Sequence, residues 1–147
     1  MRFRGPAVAH RIPAPYLAIL LACAGARMSA TAALEPRINY MLQCMGCHTP
    51  DGSGQPDRVP SLKATLGPFS SLPEGRRFLV QVPGAAQAAL TDGELAAVLN
   101  WMVENLSAAK PERFTAFTAA EVAVYRGTPL IEVRTVRERL LLLLKQR

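Results

Sequence analysis

Cys44 and Cys47 stand three residues apart and His48 follows the second thiol directly, in the run Cys44-Met45-Gly46-Cys47-His48. Two thiols at that spacing can each add to a vinyl group of one porphyrin, and a histidine right behind them then sits under the iron as its axial ligand. The segment reads as an attachment site for one covalent haem c, with Cys44 and Cys47 as the sulfurs and His48 as the iron ligand. A zinc site fits less well, because these residues supply three ligands and no second Cys/His pair closes a tetrahedral shell. A redox dithiol would have no use for the adjacent imidazole.

The N-terminus agrees with a cofactor attached outside the cytoplasm. Arg2, Arg4 and Arg11 form a basic region ahead of an apolar stretch from Tyr16 to Ala26, which is too short to span a bilayer comfortably. Small residues at Ala24-Gly25-Ala26 and Ala30-Thr31-Ala32 offer cleavage after Ala26 or after Ala32, and the later site makes residues 1–32 a signal peptide. An exported, periplasmic protein follows. In a competing reading, Leu20-Leu21-Ala22-Cys23 is a lipobox and Cys23 carries a lipid anchor. No adjacent arginine pair precedes the apolar stretch, so export of an unfolded chain is expected.

Set apart from its leader, the chain is one small domain whose core gains from a large buried porphyrin. The formal charge of +6 is carried largely by the leader, whose Arg2, Arg4, Arg11 and Arg27 face no acids; the remainder is nearly neutral, with a basic excess in residues 110–147. Nothing there resembles a nucleic-acid surface, since no basic and aromatic residues interleave.

Helical patterns separated by Gly/Pro loops run through the rest, without a strand pattern. Pro36 opens a helix through Ile38, Tyr40, Met41 and Leu42 that runs straight into Cys44, and Thr49 to Pro56 reads as a loop with a tight turn at Asp51-Gly52. Ser71 with Glu74 predicts a capping box for a short helix ending near Pro83-Gly84. Thr91 with Glu94 predicts a second, opening a helix with Leu95, Val98, Leu99, Met102, Val103 and Leu106 on one face.

This order of elements resembles the class I c-type cytochromes over roughly residues 35 to 106. The resemblance implies an all-α, cytochrome c-like fold around one covalent haem, covering residues 33–109, and an electron-transfer role. It also implies that Pro60 and Leu62, in Val59-Pro60-Ser61-Leu62, match a proline whose carbonyl meets the axial histidine and a leucine packed on the ring. Tyr40 and Trp101 match the aromatics through which the family's first and last helices cross.

The other side of the iron departs from the family, whose sixth ligand is usually a methionine from the loop before the last helix. Val82 to Leu90 contains none. Met102 is the one methionine after His48, and its helical neighbours make either a sixth ligand or a packed core residue of it. Water, Lys63 and Gln87 are the weaker ligands left. With a saturated iron the protein is a carrier of single electrons, either a soluble shuttle or the haem subunit of a dehydrogenase or oxidase system. With an open distal face it is a sensor of a small gas or peroxide, or a weak peroxidase, although no distal histidine or arginine pair marks an enzyme.

Residues 110–147 form a helical extension. Thr118 and Glu121 predict a third capping box, Gly127 a stop, and Thr128-Pro129 the start of a last helix with Val133, Val136, Leu140, Leu143 and Leu144 in a stripe. Five consecutive leucines cannot all face one small domain, so this helix is expected either to wrap its own core or to dock a redox partner protein. Arg76 and Arg77 are candidates for the haem propionates, against a solvated helix face as the plainer reading.

Overall fold

A computed structural model describes residues 33–112 and 114–146. The leader, its cleavage sites and Cys23 lie outside the described residues. Eight helices follow in order among the described residues: α1 Pro36–Gln43, α2 Met45–His48, α3 Leu66–Ser70, α4 Pro73–Gln81, α5 Pro83–Ala86, α6 Asp92–Leu106, α7 Ala119–Arg126 and α8 Val133–Lys145. Among the described residues the architecture is all-helical, as the resemblance implies, with one isolated bridge between Gln55 and Val59.

The first helix places Pro36 in its first turn, as its missing N–H allows, but it does not run unbroken into the cysteines. Cys44, at φ −124°, interrupts it, and α2 is a separate turn. Helix α1 crosses α6, and Tyr40 meets Trp101 there with ring centroids 5.3 Å apart. Tyr40 is 1% exposed and anchors a core that takes in Leu66, Phe69, Val80, Leu95, Val98 and Val103.

Two capping expectations are corrected by what the loops need. Helix α4 starts at Pro73 with Leu72 as its uncapped N-cap, because the proline takes the first helical position; the Ser71 hydroxyl instead donates to the Gly67 carbonyl at 3.2 Å. Thr118 does cap α7, accepting from the Glu121 N–H at 3.2 Å, yet the Glu121 carboxylate turns away to Arg76 and the box is half made. Of the three expected boxes, the one at Thr91 and Glu94 forms the reciprocal pair.

Residues 114–146 pack back on the helices before them. Helix α7 lies against α6 and α4, burying Val122 completely, and Asn100 on α6 bonds both the Phe117 N–H (2.7 Å) and the Phe117 carbonyl (3.1 Å). The last helix begins at Val133 rather than at Thr128-Pro129, since that segment is drawn onto α4: the Leu130 N–H donates to the Gln81 carbonyl at 2.9 Å, and Gln81 Nε2 to Thr128 Oγ1 at 3.3 Å. Of its stripe, Leu140 is buried and Val133, Val136 and Leu144 are partly so, while Leu142 (57%) and Leu143 (37%) face outward.

Candidate functional site

The turn carrying Cys44, Cys47 and His48 is fixed by its own backbone and by one long reach. The Cys44 N–H closes onto the Tyr40 carbonyl at 2.9 Å, and the Cys47 and His48 N–H groups both return to the Cys44 carbonyl, at 3.2 and 3.0 Å. Thr49 then turns the chain at φ 63° and ψ 162°, a backbone region that a β-branched residue rarely enters. It is held there from several sides: its carbonyl accepts from Tyr40 Oη at 2.5 Å, and its hydroxyl meets the His48 carbonyl, Asp51 and Ser53. Burial and the nearby sulfur of Cys44 push the Tyr40 hydroxyl up to about 12, so it stays a donor.

The loop beyond folds back under His48. Gly54, at φ +74°, donates to the His48 carbonyl at 3.1 Å, and a β-carbon there would run into the carbonyls of Val59 and Pro60. Only glycine lets the two limbs of the loop close so tightly. The Pro60 carbonyl is thereby brought to the imidazole, where it favours the protonated ring, while the stronger influence of burial holds the His48 pKa below its ordinary value. No bond of full hydrogen-bonding geometry reaches the buried Nδ1, which is left unpartnered. Leu62 is anchored by its N–H to the Gly52 carbonyl at 2.9 Å.

Cys44, Cys47 and His48 converge with Leu62 on a cavity of about 190 Å³. Leu95, Val98, Leu99 and Met102 of α6 form one stretch of its wall, Leu66 and Leu79 another, and Val82, Gly84, Ala85 and Ala88 a third. Both cysteines of the turn are free thiols, Cys44 half-buried and Cys47 exposed. Burial, then the neighbouring Cys47, pushes the Cys44 thiol up to about 11. An apolar cavity with two thiols and an imidazole in its wall suits a porphyrin better than a metal ion alone, and no cluster of three or more His, Cys, Asp or Glu able to hold a bare metal occurs among the described residues. A larger, shallower groove of about 820 Å³ lies between the 53–61 loop and α8, without sulfur or imidazole in its lining.

Cytochrome c-552 of Thermus thermophilus is 32% identical to this chain over 116 residues, spanning 66% of the chain and 88% of that protein. This chain belongs to the c-type cytochromes. It is a haem c electron-transfer protein, and the cofactor of its family is covalently bound. A second cytochrome c-552 sequence from Thermus thermophilus gives the same identity over 116 residues and 78% of its length. No family model and no solved structure matches the cytochrome.

The remaining sequence candidates fall in different places. Met102 is 6% exposed and lies in the cavity wall. Lys63 pairs with Asp51 at 2.7 Å and Gln87 ends α5; neither lines the cavity. Arg76 is neither a cavity residue nor a solvated one: its guanidinium forks onto Glu121 at 2.7 and 2.6 Å and lies 3.9 Å over the Phe117 ring. Arg77 lies 5.4 Å from the Tyr125 ring. Sequence reasoning missed the strained turn at Thr49 and the role of Arg126, which reaches the loop before α6.

Proposed function

We propose that this is an exported, class I monohaem cytochrome that passes single electrons, with Cys44 and Cys47 as the thioether sulfurs and His48 as the axial iron ligand. The observation that carries the reading is the convergence of two free thiols and an imidazole on one apolar cavity. Bound there, haem would supply a one-electron iron couple. The chain's own residues supply the rest. Burial keeps His48 in the neutral form that can donate to a metal, Pro60 presents a carbonyl to the same ring, and the Tyr40–Thr49 bond holds the turn after it. Leu62 and the α6 face keep water from the cavity wall.

Met102 is read as a packed wall residue, supported by its place on the buried face of a continuous helix with Val98 and Leu99. Residues 1–32 are read as a cleaved signal peptide and the location as periplasmic, with lipidation of Cys23 as the alternative; no described helix is long and apolar enough to cross a membrane. A redox partner protein is proposed to dock through α8, supported by Leu142 and Leu143 on its surface and by Arg134 and Arg137 beside the shallow groove.

Intact-mass measurement of the exported protein tests this reading. The mass of one haem added to the chain, together with loss of the leader, is the expected result. Release of the pigment by acid–acetone extraction would overturn the attachment through Cys44 and Cys47.

A further inference from the structure

The loop from Val82 to Leu90 is the part of the cavity wall with the least side chain in it. Its lining residues are Val82, Gly84, Ala85 and Ala88, none with an atom that ligates iron, and a β-carbon at Gly84 would have nothing within 4 Å. The loop is nevertheless fastened from two sides. Arg126, the last residue of α7, donates from Nε to the Ala86 carbonyl (2.9 Å), from Nη1 to the Leu90 carbonyl (2.6 Å) and to Asp92 (3.1 Å), and from Nη2 to the Ala88 carbonyl. From the other direction, Gln43 beside Cys44 accepts from the Ala89 N–H at 3.3 Å.

Three carbonyls of one loop on one guanidinium define a path for the backbone, which a pairing with Asp92 alone would not. The planar fork makes this possible; an ammonium is a single point with shorter reach. The loop thus keeps its position without any bond from its own side chains into the cavity. Among the described residues no Lys, Arg, Asp or Glu lines the cavity, whose polar lining is Gln43 and His48 beside the two thiols, so no side-chain charge favours an ion there over a small uncharged molecule. Met102, the third sulfur in the wall beside Cys44 and Cys47, stands mid-helix among Leu95, Val98 and Leu99.

We propose that Arg126 holds loop 82–90 as the wall of a binding position for a small uncharged diatomic molecule, beside Gly84, Ala85 and Ala88. The inference rests on the haem c assignment above. Haem held there would supply a ferrous iron able to accept a lone pair from such a molecule with no electron transferred, so no further reactant is needed. The C-terminal extension, through Arg126, sets how readily that position is reached.

The test is carbon monoxide binding to the reduced full-length holoprotein, followed by its absorption spectrum, with intact mass confirming the haem. The native protein is expected to bind without denaturant, and Ala85→Leu and Ala88→Leu, which add bulk to the wall, to slow association by about tenfold or more. Arg126→Gln should change the association rate several-fold at unchanged haem content, and Arg126→Lys should recover part of the difference. Failure of the native protein to bind, binding that appears only after Met102→Leu, or a rate indifferent to Arg126→Gln would each overturn the proposal. If the leucine variants do not accumulate, the Arg126 pair decides. A mass without haem would overturn the cofactor assignment instead.

Discussion

Met102 shares the buried face of α6 with Leu95, Val98 and Leu99 and is 6% exposed. A side chain in that position contributes by filling space, so Met102→Leu, nearly equal in volume, is expected to lower stability by less than about 1.5 kcal/mol and to leave the haem spectrum unchanged. Urea unfolding and the visible spectrum of the variant check this. Loss of a sulfur-to-iron band near the red edge would show that Met102 is a ligand after all. At this scale the sequence is most informative where chemistry is local: thioether attachment depends on Cys44, Cys47 and His48 being neighbours, so the spacing itself carries the reading. Arg76 and Arg126 were illegible for the opposite reason. Apart from Ser70, which accepts from Arg76, their partners lie 34 to 45 residues away, and nothing adjacent marks either arginine as different from a solvated one.

Among the helices, Thr91 and Glu94 show what a legible boundary looks like. The Thr91 N–H and hydroxyl both donate to the Glu94 carboxylate at 2.8 Å, the Glu94 N–H returns to the Thr91 hydroxyl at 3.2 Å, and no proline intervenes. Thr91→Ala should cost about 1 kcal/mol, read as a lower urea midpoint at unchanged slope. The Thr91 backbone N–H, then its hydroxyl, hold the Glu94 carboxyl below the usual carboxylate range. That contribution is therefore present above the unfolded-state pKa and is lost as pH falls through the folded one, so the gap between parent and Thr91→Ala should narrow at acid pH. Ser71-Glu74 and Thr128-Pro129 carry the same residue types without the outcome. Pro73 shifts the first helix start past Ser71, and the bonds from Gln81 to Leu130 and Thr128 hold the second segment on α4 instead of in a helix. Tertiary contacts outweighed local preference at both places.

For the whole molecule, residues 114–146 form a strap across the helices before them rather than a tail. Phe117, Val122 and Leu140 are each at most 3% exposed, and the strap's main polar fastening is Arg76, which serves Glu121 and the carbonyls of Ser70, Thr115 and Ala116 together. Its side chain is 13% exposed and that of Glu121 is 21%, so removing one partner leaves the other largely desolvated. Arg76→Met in the holoprotein is expected to lower unfolding stability by about 2–3 kcal/mol, less than a fully buried pair would lose because water still reaches both groups. Replacing both, as Arg76→Met with Glu121→Leu, should recover a good part of that loss, because no charge is then stranded. Urea unfolding of parent, both single variants and the double variant closes the cycle. A coupling near zero, with the single variants additive, would mean that the apolar contacts of α7 hold the strap on their own. A large coupling accompanied by altered carbon monoxide binding in Arg76→Met would show that the two arginines fastening the strap, Arg76 through Glu121 near the start of α7 and Arg126 at its end, act on the cavity together.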